Sequence, residues 1–331
     1  MVVLLRSSML CRSCLAAVWA VLSCCAVRAA ADGAAQVWDG TKWHDILAPL
    51  GIMPADGKRP KPPQPPAGGR VGARPSIFVG ISAFRDARCG ITLMEIFGKA
   101  AHPERVAVGV VDQVRRRGGG GGSSAGGSPG GGDDDPGCLA VYCREMMKRT
   151  GRCPHEKQVR LLTVDYLASA GPVVARARQQ SLLRDADEFC LQVDAHTMLL
   201  PGWDEKLLAE WRSTENEHAV LSTYVRRTSE YGQNVNGRWE VPHLCKTVWG
   251  GANGLVRNAD AGAAVWLPKP KLTPLWGAGM SFSKCHAERR VPYDPRLKQI
   301  FDGEEFSRAM RLWSFGYDVY TPSRAVVYVT R

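Results

Sequence analysis

The sequence predicts an α/β fold with a mostly parallel central sheet flanked by helices. Continuous apolar runs at 77–84 and 106–111 are typical of strands buried on both faces of a parallel sheet. Between them, apolar residues recur at helical spacing over 92–101. A further apolar strand, entered at Phe189, leads into Asp194-Ala-His196. Strand, helix and strand at this spacing indicate a βαβ unit, the building block of such sheets.

The first segment, residues 1–29, is predicted to be a signal peptide or signal anchor. Arg6 and Arg12 precede an apolar run over 15–27, and small residues around Ala29 fit a signal-peptidase site. The run is shorter than the roughly 20 residues that a membrane-spanning helix needs. We expect entry into the secretory pathway and residence in the Golgi, with membrane association through this segment only. A start without targeting function, in a cytoplasmic protein, is the alternative.

Residues 30–75 are rich in Ala, Gly and Pro and are predicted to form a stalk before a folded domain at 76–331. One island, 37–43 with the apolar residues just after it, is expected to pack on that domain. Residues 118–136 are nearly all Gly, Ser, Pro and Asp, which predicts a disordered insertion. It is not a phosphate-binding loop, because no Lys-Ser/Thr follows the glycines.

The remaining elements follow from periodicity and from helix-start signals. Pro172 after Gly171 fits the first position of a helix that runs towards Leu183. Residues 234–271, rich in Gly and Pro, are expected to be irregular and to carry function. The other expected elements are strands at 158–166, 219–224, 318–322 and 325–330, and helices at 203–211 and around Phe306, Met310 and Trp313.

The charge and the cysteines exclude some classes of protein. The net charge is +11, but no basic helix face or aromatic-basic pattern accompanies it, so we expect no nucleic-acid partner. Seven cysteines lie outside the predicted signal segment, and no two of them have the Cys-x-x-Cys spacing that would indicate a zinc site. We expect one to three disulfides and at least one free thiol. Cys190, inside an apolar strand, is interpreted as a buried small hydrophobic side chain.

Asp194 and His196 are the candidate metal ligands. Residues two apart on a strand point to the same face, so the carboxylate and the imidazole are expected to converge. An oxygen and a nitrogen ligand suit a borderline divalent ion such as Mn²⁺. The carboxyl end of an α/β strand is also where such folds bind nucleotides. The alternative is a strand that ends in a turn with two solvated polar residues.

Seven short motifs follow one another along the chain. They are Gly171-Pro-Val-Val-Ala-Arg176, Leu191-Gln-Val-Asp-Ala-His196, Gly202-Trp-Asp204, Trp276-Gly-Ala-Gly-Met-Ser-Phe282, Val291-Pro-Tyr-Asp-Pro295, Phe301-Asp-Gly-Glu-Glu305 and Arg311-Leu-Trp313. In this order they resemble a known family, the polypeptide N-acetylglucosaminyltransferases that modify hydroxyproline or threonine. The stretch from 175 to 196 is also similar to the mucin-type polypeptide GalNAc transferases. The resemblance implies a GT-A fold and the retaining transfer of GlcNAc from UDP-GlcNAc to a hydroxyproline, Thr or Ser hydroxyl of an acceptor protein. One branch of the family works in the cytoplasm and another in the Golgi.

The resemblance also implies roles for individual residues on the donor side. Asp194 and His196 would bind Mn²⁺ at the UDP diphosphate, in an Asp-x-His motif. Arg176 would face the nucleotide, since a guanidinium suits phosphate; a solvated helix arginine is the alternative. The residues that would lie where this fold places uridine are Ser82, Arg85 and Asp86, although a plain turn at a strand end explains them almost as well.

On the sugar and acceptor side, the resemblance implies that Trp276, Gly279, Glu304 and Glu305 frame the reacting groups. The two glutamates are the candidate catalytic residues, because a carboxylate there can hydrogen-bond a sugar or acceptor hydroxyl. The alternatives are a core role for Trp276 and favourable helix N-terminal charges for the glutamates.

In one respect the sequence departs from the family, which carries a third, histidine metal ligand on its last strand. No histidine follows His286 in the 331 residues. An inactive GT-A homologue that acts as a binding or scaffold module is therefore the alternative function.

Overall fold

The computed structural model describes residues 27–29, 35–38, 43–45, 70–71, 74–115, 134–230, 240–250, 254–259 and 261–330. Most of the predicted signal segment, and residues 118–133 of the predicted insertion, lie outside the described residues. The chain divides into two compact units, Met1–Lys61 and Pro62–Arg331. Among the described residues, no helix is both long and apolar enough to cross a membrane.

The first unit contains a three-stranded antiparallel sheet of β1 (Val27–Ala29), β2 (Ala35–Trp38) and β3 (Trp43–Asp45). Two of these strands lie within the stretch predicted to be a stalk, so that stretch is not continuous linker. The boundaries proposed for the signal segment and the stalk stay predictions.

The second unit holds the remaining elements. Its helices are α1 (Cys89–Lys99), α2 (Cys138–Thr150), α3 (Pro172–Gln180), α4 (Trp203–Arg212), α5 (His286–Arg290) and α6 (Glu304–Ser314), with short 3-10 turns at Pro103–Arg105, Glu156–Gln158, Tyr166–Ala168 and Thr228–Glu230. Its strands are β4 (Arg70–Val71), β5 (Arg74–Pro75), β6 (Ile77–Phe84), β7 (Val106–Val114), β8 (Val159–Asp165), β9 (Phe189–Val193), β10 (Thr197–Leu199), β11 (Ala219–Ser222), β12 (Arg226–Arg227), β13 (Glu240–His243), β14 (Thr247–Gly250), β15 (Leu255–Asn258), β16 (Gly262–Val265), β17 (Lys271–Thr273), β18 (Met280–Lys284), β19 (Asp318–Thr321) and β20 (Val327–Val329).

Eight strands form the central sheet in the order β17-β19-β11-β18-β9-β6-β7-β8. Strands β6, β7, β8 and β9 are parallel to one another, and only β17 and β18 run against the rest. The predicted α/β class with a mostly parallel sheet is therefore confirmed. A smaller sheet has the strand order β10-β20-β12, and its first strand, β10, follows β9 in the sequence.

The main core lies between the sheet and helices α1 and α4. The apolar face of α1 places Leu93, Ile96 and Phe97 at 4% exposure or less, and the Trp203 ring at the start of α4 is fully buried. Nε1 of Trp203 donates to the Ile96 carbonyl at 2.9 Å, so this buried polar atom is satisfied. Burial of side chains of this size contributes about 1.5 to 3 kcal/mol each. This packing fixes α1 against the edge of the sheet where the polar residues emerge.

Three disulfides cross-link the second unit: Cys89–Cys138, Cys143–Cys153 and Cys190–Cys285. Cys245 is exposed and free, so the expected disulfides and leftover thiol are both present among the described residues. The interpretation of Cys190 as an unbonded hydrophobic side chain was wrong. The residue is buried, but its sulfur is bonded to Cys285, which follows the neighbouring strand β18.

The segment expected to be irregular instead contains a nested antiparallel arm. Strand β13 pairs with β16, and β14 pairs with β15 inside them. Gly254, with a φ of 61°, occupies the left-handed region just before β15. The Gly and Pro content of this segment hid its strands from sequence analysis. The outer pair, β13 with β16, also joins residues 19 to 25 positions apart, as in Glu240 with Val265. Residues 231–239, 251–253 and 260 lie outside the described part of this arm.

Candidate active site

The turn after β9 carries the candidate metal ligands and is fixed on both sides. Oγ1 of Thr92, on α1, donates to the Ala195 carbonyl at 2.8 Å and accepts from the Thr197 amide at 2.9 Å. The amide and hydroxyl of Thr330 both donate to the His196 carbonyl, at 3.0 and 2.8 Å. Ala195 is therefore held inward while Asp194 and His196 remain partly exposed. The prediction that Asp194 lies at the carboxyl end of a strand is confirmed.

Residues of this turn line two cavities. Asp194 lines the larger one, of 530 Å³, and His196 lines the other, of 420 Å³. The smaller cavity is lined by Phe84, Arg85, Asp86, Ala87, Arg88, His196 and Thr330. The larger cavity is lined by Arg176, Asp194, Tyr224, Val225, Arg226, Arg227, Glu230, Pro242, Arg257, Asn258, Ala278, Gly279, Phe301, Asp302, Gly303, Glu304, Glu305 and Val329.

His196 is oriented by Asp86. Its Nδ1 lies 2.8 Å from Oδ2 of Asp86, while Oδ1 of Asp86 accepts from the Arg88 amide at 2.9 Å. The hydrogen bond to Asp86 raises the pKa of His196 against the opposing effect of partial burial, and Asp194 adds to the rise. The same contact lowers the pKa of Asp86. With Nδ1 occupied by the carboxylate, Nε2 is the imidazole nitrogen left for a ligand.

The donor set and the space around it fit a divalent ion. A metal-bound histidine ordinarily donates its other ring N–H to a carboxylate, which is the role that Asp86 can fill here. A Cβ added to Gly279 would lie 3.3 Å from Oδ2 of Asp194, so glycine keeps that oxygen open. In the part of the chain that the structure describes, neither Asp194 nor His196 belongs to a group of three metal-ligating side chains that lie together. The one group of three found is Cys143, Cys153 and Glu156, whose cysteines form a disulfide.

Arg176 lies between two acidic groups of the larger cavity. It forms a short ion pair with Glu304, and its Nη2 lies 3.7 Å from Oδ1 of Asp194. Its side chain is 11% exposed and that of Glu304 is 4% exposed. Burial opposes the charge of Arg176, but the attraction of Glu304, Tyr293 and Asp194 outweighs it and raises the arginine pKa. The guanidinium therefore stays charged and holds Glu304 against the wall of the cavity.

Glu305 is fully engaged by protein donors. Oε1 accepts from the Ala278 amide at 2.9 Å, and Oε2 accepts from the Tyr224 hydroxyl at 2.7 Å and from Nδ2 of Asn258 at 3.2 Å. Burial raises the pKa of Glu305, although the bonds from Ala278 and Tyr224 oppose the rise. This carboxylate ties α6 to β15 and to the loop before β18, which is a bracing role rather than a free catalytic one.

Two predicted site residues lie away from the cavities. The Trp276 ring is 1% exposed, packs with Val173 and Tyr293 in a second core cluster, and donates through Nε1 to Ser281 at 2.9 Å. Trp276 was predicted to frame the reacting groups, with a core role as the alternative, and its burial favours the core role. Ser82 Oγ is buried and has no hydrogen-bond partner among the described residues.

Arg85, predicted at the nucleotide, lines the smaller cavity with a φ of 49°. Its Nε and Nη2 donate to Asp135 at 2.7 and 3.0 Å, and its guanidinium lies 5.0 Å from the centre of the Tyr166 ring. Asp135 also accepts from the Arg115 amide at 2.8 Å. The sequence analysis predicted that Asp135 lies in the disordered insertion. Its bonds to Arg85 and Arg115 instead hold the C-terminal end of that segment beside the smaller cavity.

Sequence reasoning missed several residues that line the larger cavity. Tyr224 and Asn258 come from elements whose register the sequence did not reveal. Asp302 belongs to a motif that was recognised, yet only its glutamates were selected. The arginines at 226, 227 and 257 carried no local pattern that sets them apart from surface arginines.

Comparison with known proteins identifies the family. The family model described as Glycosyltransferase (GlcNAc) matches residues 76–330. The chain belongs to this glycosyltransferase family. Among curated proteins, none matches the chain.

One solved structure supports a GT-A fold for this glycosyltransferase. A structure of GalNAc-T7 with UDP, GalNAc and Mn²⁺ superposes with a TM-score of 0.51 and 12% identity, over 77% of this chain and 44% of that chain. The chain thus spans less than half the length of that protein. TarS 1-349 of S. aureus, in complex with UDP-GlcNAc, gives a TM-score of 0.45 and 13% identity over 77% of this chain and 58% of that one.

Proposed function

We propose that this glycosyltransferase is a retaining enzyme that moves GlcNAc from UDP-GlcNAc to the hydroxyl of a hydroxyproline, Thr or Ser residue of an acceptor protein. The family match and the motif resemblance support the reaction class and the donor sugar. The described fold and the position of its polar residues support a nucleotide-sugar donor. GalNAc-T7, whose structure contains UDP, GalNAc and Mn²⁺, offers a parallel for the donor and the ion.

The observation that carries the proposal is the placement of Asp194 and His196 on one turn, where each side chain lines a different cavity. We assign the smaller cavity to the nucleotide and the larger to the sugar and acceptor. Asp194 and His196 would hold a Mn²⁺ ion, which would act as a Lewis acid towards the diphosphate leaving group. Asp86 orients the imidazole for this task.

The other residues of the larger cavity bind and orient. Arg176 stays charged beside Asp194 and keeps Glu304 in place. Glu305, Tyr224 and Asn258 form a rigid wall. A site whose dipoles are fixed before the substrate arrives does not need to reorganise during transfer, which lowers the barrier.

Calorimetric titration with UDP, with and without Mn²⁺, tests the proposal. We expect binding that depends on Mn²⁺ in the wild type and is lost in Asp194→Ala, whose fold should remain intact by circular dichroism. An assay with UDP-GlcNAc and UDP-GalNAc then identifies the donor sugar. Metal-independent behaviour, or no UDP binding, would instead support the alternative of an inactive homologue that works as a binding module.

We further propose that the protein acts in the secretory pathway, in the Golgi. The N-terminal segment supports this, and so do the three disulfides, because such bonds persist in oxidising compartments. A fluorescent fusion with the intact N-terminus tests it. Diffuse cytosolic signal that is unchanged on deletion of residues 1–30 would favour the cytoplasmic alternative.

A further inference from the structure

The larger cavity holds four arginines, and they fall into two pairs with different surroundings. Arg176 is paired with Glu304, and Arg226 donates through Nε to Glu230 at 2.9 Å and through Nη1 to the Glu240 carbonyl at 3.0 Å. These two guanidiniums are committed to the protein. They shape the cavity wall but have little charge left to offer a substrate.

Arg227 and Arg257 are the other pair. Both side chains are exposed, and within the described ranges neither forms an ion pair. Arg227 lies on β12, where it pairs with Val329 of β20, and Arg257 lies on β15 of the antiparallel arm. Strands β12 and β15 therefore each place an arginine, without an ion-pair partner among the described residues, in the lining of the larger cavity.

The position of Arg257 is fixed although its guanidinium is exposed. The next residue, Asn258, is buried and donates through Nδ2 to the Trp276 carbonyl at 2.8 Å and to Glu305. Two residues earlier, Leu255 meets the left-handed Gly303, where an added Cβ would lie 3.3 Å from the Leu255 Cβ. The backbone on both sides of Arg257 is thus held against the start of α6, beside the cavity that Arg257 lines.

These cations line the larger cavity, which we assign to the sugar and the acceptor. GlcNAc is uncharged, so an anionic group that meets Arg257 would belong to the acceptor. A guanidinium recognises a carboxylate through two parallel hydrogen bonds. We propose that Arg257, with Arg227, selects acceptor polypeptides that carry acidic residues beside the modified hydroxyl. This inference rests on the proposed transfer to a protein.

The expected effect is moderate, because the arginines are solvent-exposed. One ion pair at 4 Å in water is worth about 1 kcal/mol, which corresponds to about a fivefold change in affinity. Replacing a flanking Gln by Glu should therefore tighten acceptor binding by about fivefold, and replacing it by Lys should weaken binding by a similar factor. The preference should also decline as salt rises.

The test uses synthetic peptides with a central Thr, Ser or hydroxyproline flanked by Glu, Gln or Lys. Their binding to the full chain is measured by fluorescence anisotropy in the presence of UDP and Mn²⁺, and transfer is measured in parallel. Arg257→Glu should reverse the order of preference to Lys over Gln over Glu. Arg324→Glu makes the same change of net charge at an exposed site that does not line the cavity, and it should keep the wild-type order.

Each outcome of this experiment either supports or contradicts the inference. The inference is overturned if wild type binds Glu and Gln peptides equally, if it binds none of them, or if Arg257→Glu weakens all three peptides alike. A loss of UDP affinity in Arg257→Glu, measured by calorimetry, would assign this arginine to the donor instead. If the peptides bind in the expected order but no sugar is transferred, the inference stands and the proposed enzymatic function fails.

Discussion

Nδ1 of His196 lies 2.8 Å from Oδ2 of Asp86, and this contact joins the turn after β9 to the end of the neighbouring strand β6. Asp86 is itself held by the Arg88 amide, and Arg88 donates through Nη1 to the Thr330 carbonyl at 2.6 Å. The Thr330 hydroxyl in turn donates a hydrogen bond to the His196 carbonyl. A closed set of hydrogen bonds therefore fixes the imidazole before any ligand arrives.

The first prediction follows from this contact. Asp86→Ala frees the imidazole to rotate and removes the acceptor that holds its Nδ1 proton, so Mn²⁺ should bind about 10- to 100-fold more weakly. Calorimetric UDP titrations at a series of Mn²⁺ concentrations measure the change. Asp165→Ala is the control, because Asp165 only caps a 3-10 turn by accepting from the Leu167 amide. Equal metal affinity in Asp86→Ala and wild type would show that Asp86 does not orient a ligand.

The second prediction concerns the buried pair of Arg176 and Glu304. Glu304→Ala leaves a guanidinium that is 11% exposed without its main partner, which should destabilise the protein by about 3 to 5 kcal/mol. The double variant Arg176→Met with Glu304→Leu removes both charges and should regain most of that loss. Urea denaturation measures all three proteins. A single variant that costs less than the double variant would contradict the assignment.

The third prediction concerns the Tyr224 hydroxyl. Tyr224→Phe removes a donor to the buried Glu305 carboxylate and should cost about 1 to 3 kcal/mol. The Glu305 pKa, already raised by burial, should rise further because this bond opposes the rise. Tyr320→Phe is the control, since that hydroxyl only accepts a 3.3 Å bond from Asn216. Thermal unfolding of both variants gives the comparison, and equal losses would argue against a bracing role for Tyr224.

The fourth prediction is a pH dependence that arises at His286, which is 4% exposed with Nδ1 2.8 Å from the Tyr317 hydroxyl. Burial lowers its pKa to about 3, and the electrostatic effects of the nearby His218 and Lys284 add to the shift. As pH falls below about 6.5, this histidine binds a proton in the unfolded chain but not in the folded chain. The free energy of unfolding therefore decreases. Between pH 6.5 and 5, wild type should lose about 1 to 2 kcal/mol more than His286→Gln. Parallel stability curves would rule His286 out as the source.

Local patterns were enough to predict the frame of the fold. The apolar run of Ile77–Phe84 and the Gly-Pro start of α3 are features of neighbouring residues, and the structure contains both elements. The helix ends at Gln180 rather than Leu183, since helix ends depend on the packing that follows. The end of β9 just before Asp194 was predictable for the same local reason.

The parts that were not predicted depend on contacts between distant residues. Nothing near Glu305 in the sequence signals Tyr224, which lies 81 positions away and occupies its carboxylate. Trp276 reads equally as a platform or as core until Tyr293 and Val173 are known to cover it. Cys190 could be assigned only once β18 was placed beside β9, which brings Cys285 to it.

The last prediction concerns Asp302, one of five carboxylates that line the larger cavity. Asp194 and Glu304 face Arg176, Glu230 is paired with Arg226, and Glu305 has three donors. Asp302 forms no ion pair or side-chain hydrogen bond with the described part of the chain. It is therefore the carboxylate of the cavity that is free to accept a bond from a sugar or acceptor hydroxyl.

Asp302→Asn should leave stability within about 0.5 kcal/mol of wild type, because no protein contact is lost. The rate of transfer should fall by about 10- to 100-fold, which corresponds to the free energy of one hydrogen bond to a charged acceptor. Asp185→Asn, at an exposed site outside the cavity, is the control. If Asp302 holds the sugar, KM for the donor and the hydrolysis of donor by water both change. If it holds the acceptor hydroxyl, donor hydrolysis is unaffected and only transfer declines. Full transfer activity in Asp302→Asn would show that the free carboxylate does not contact either substrate.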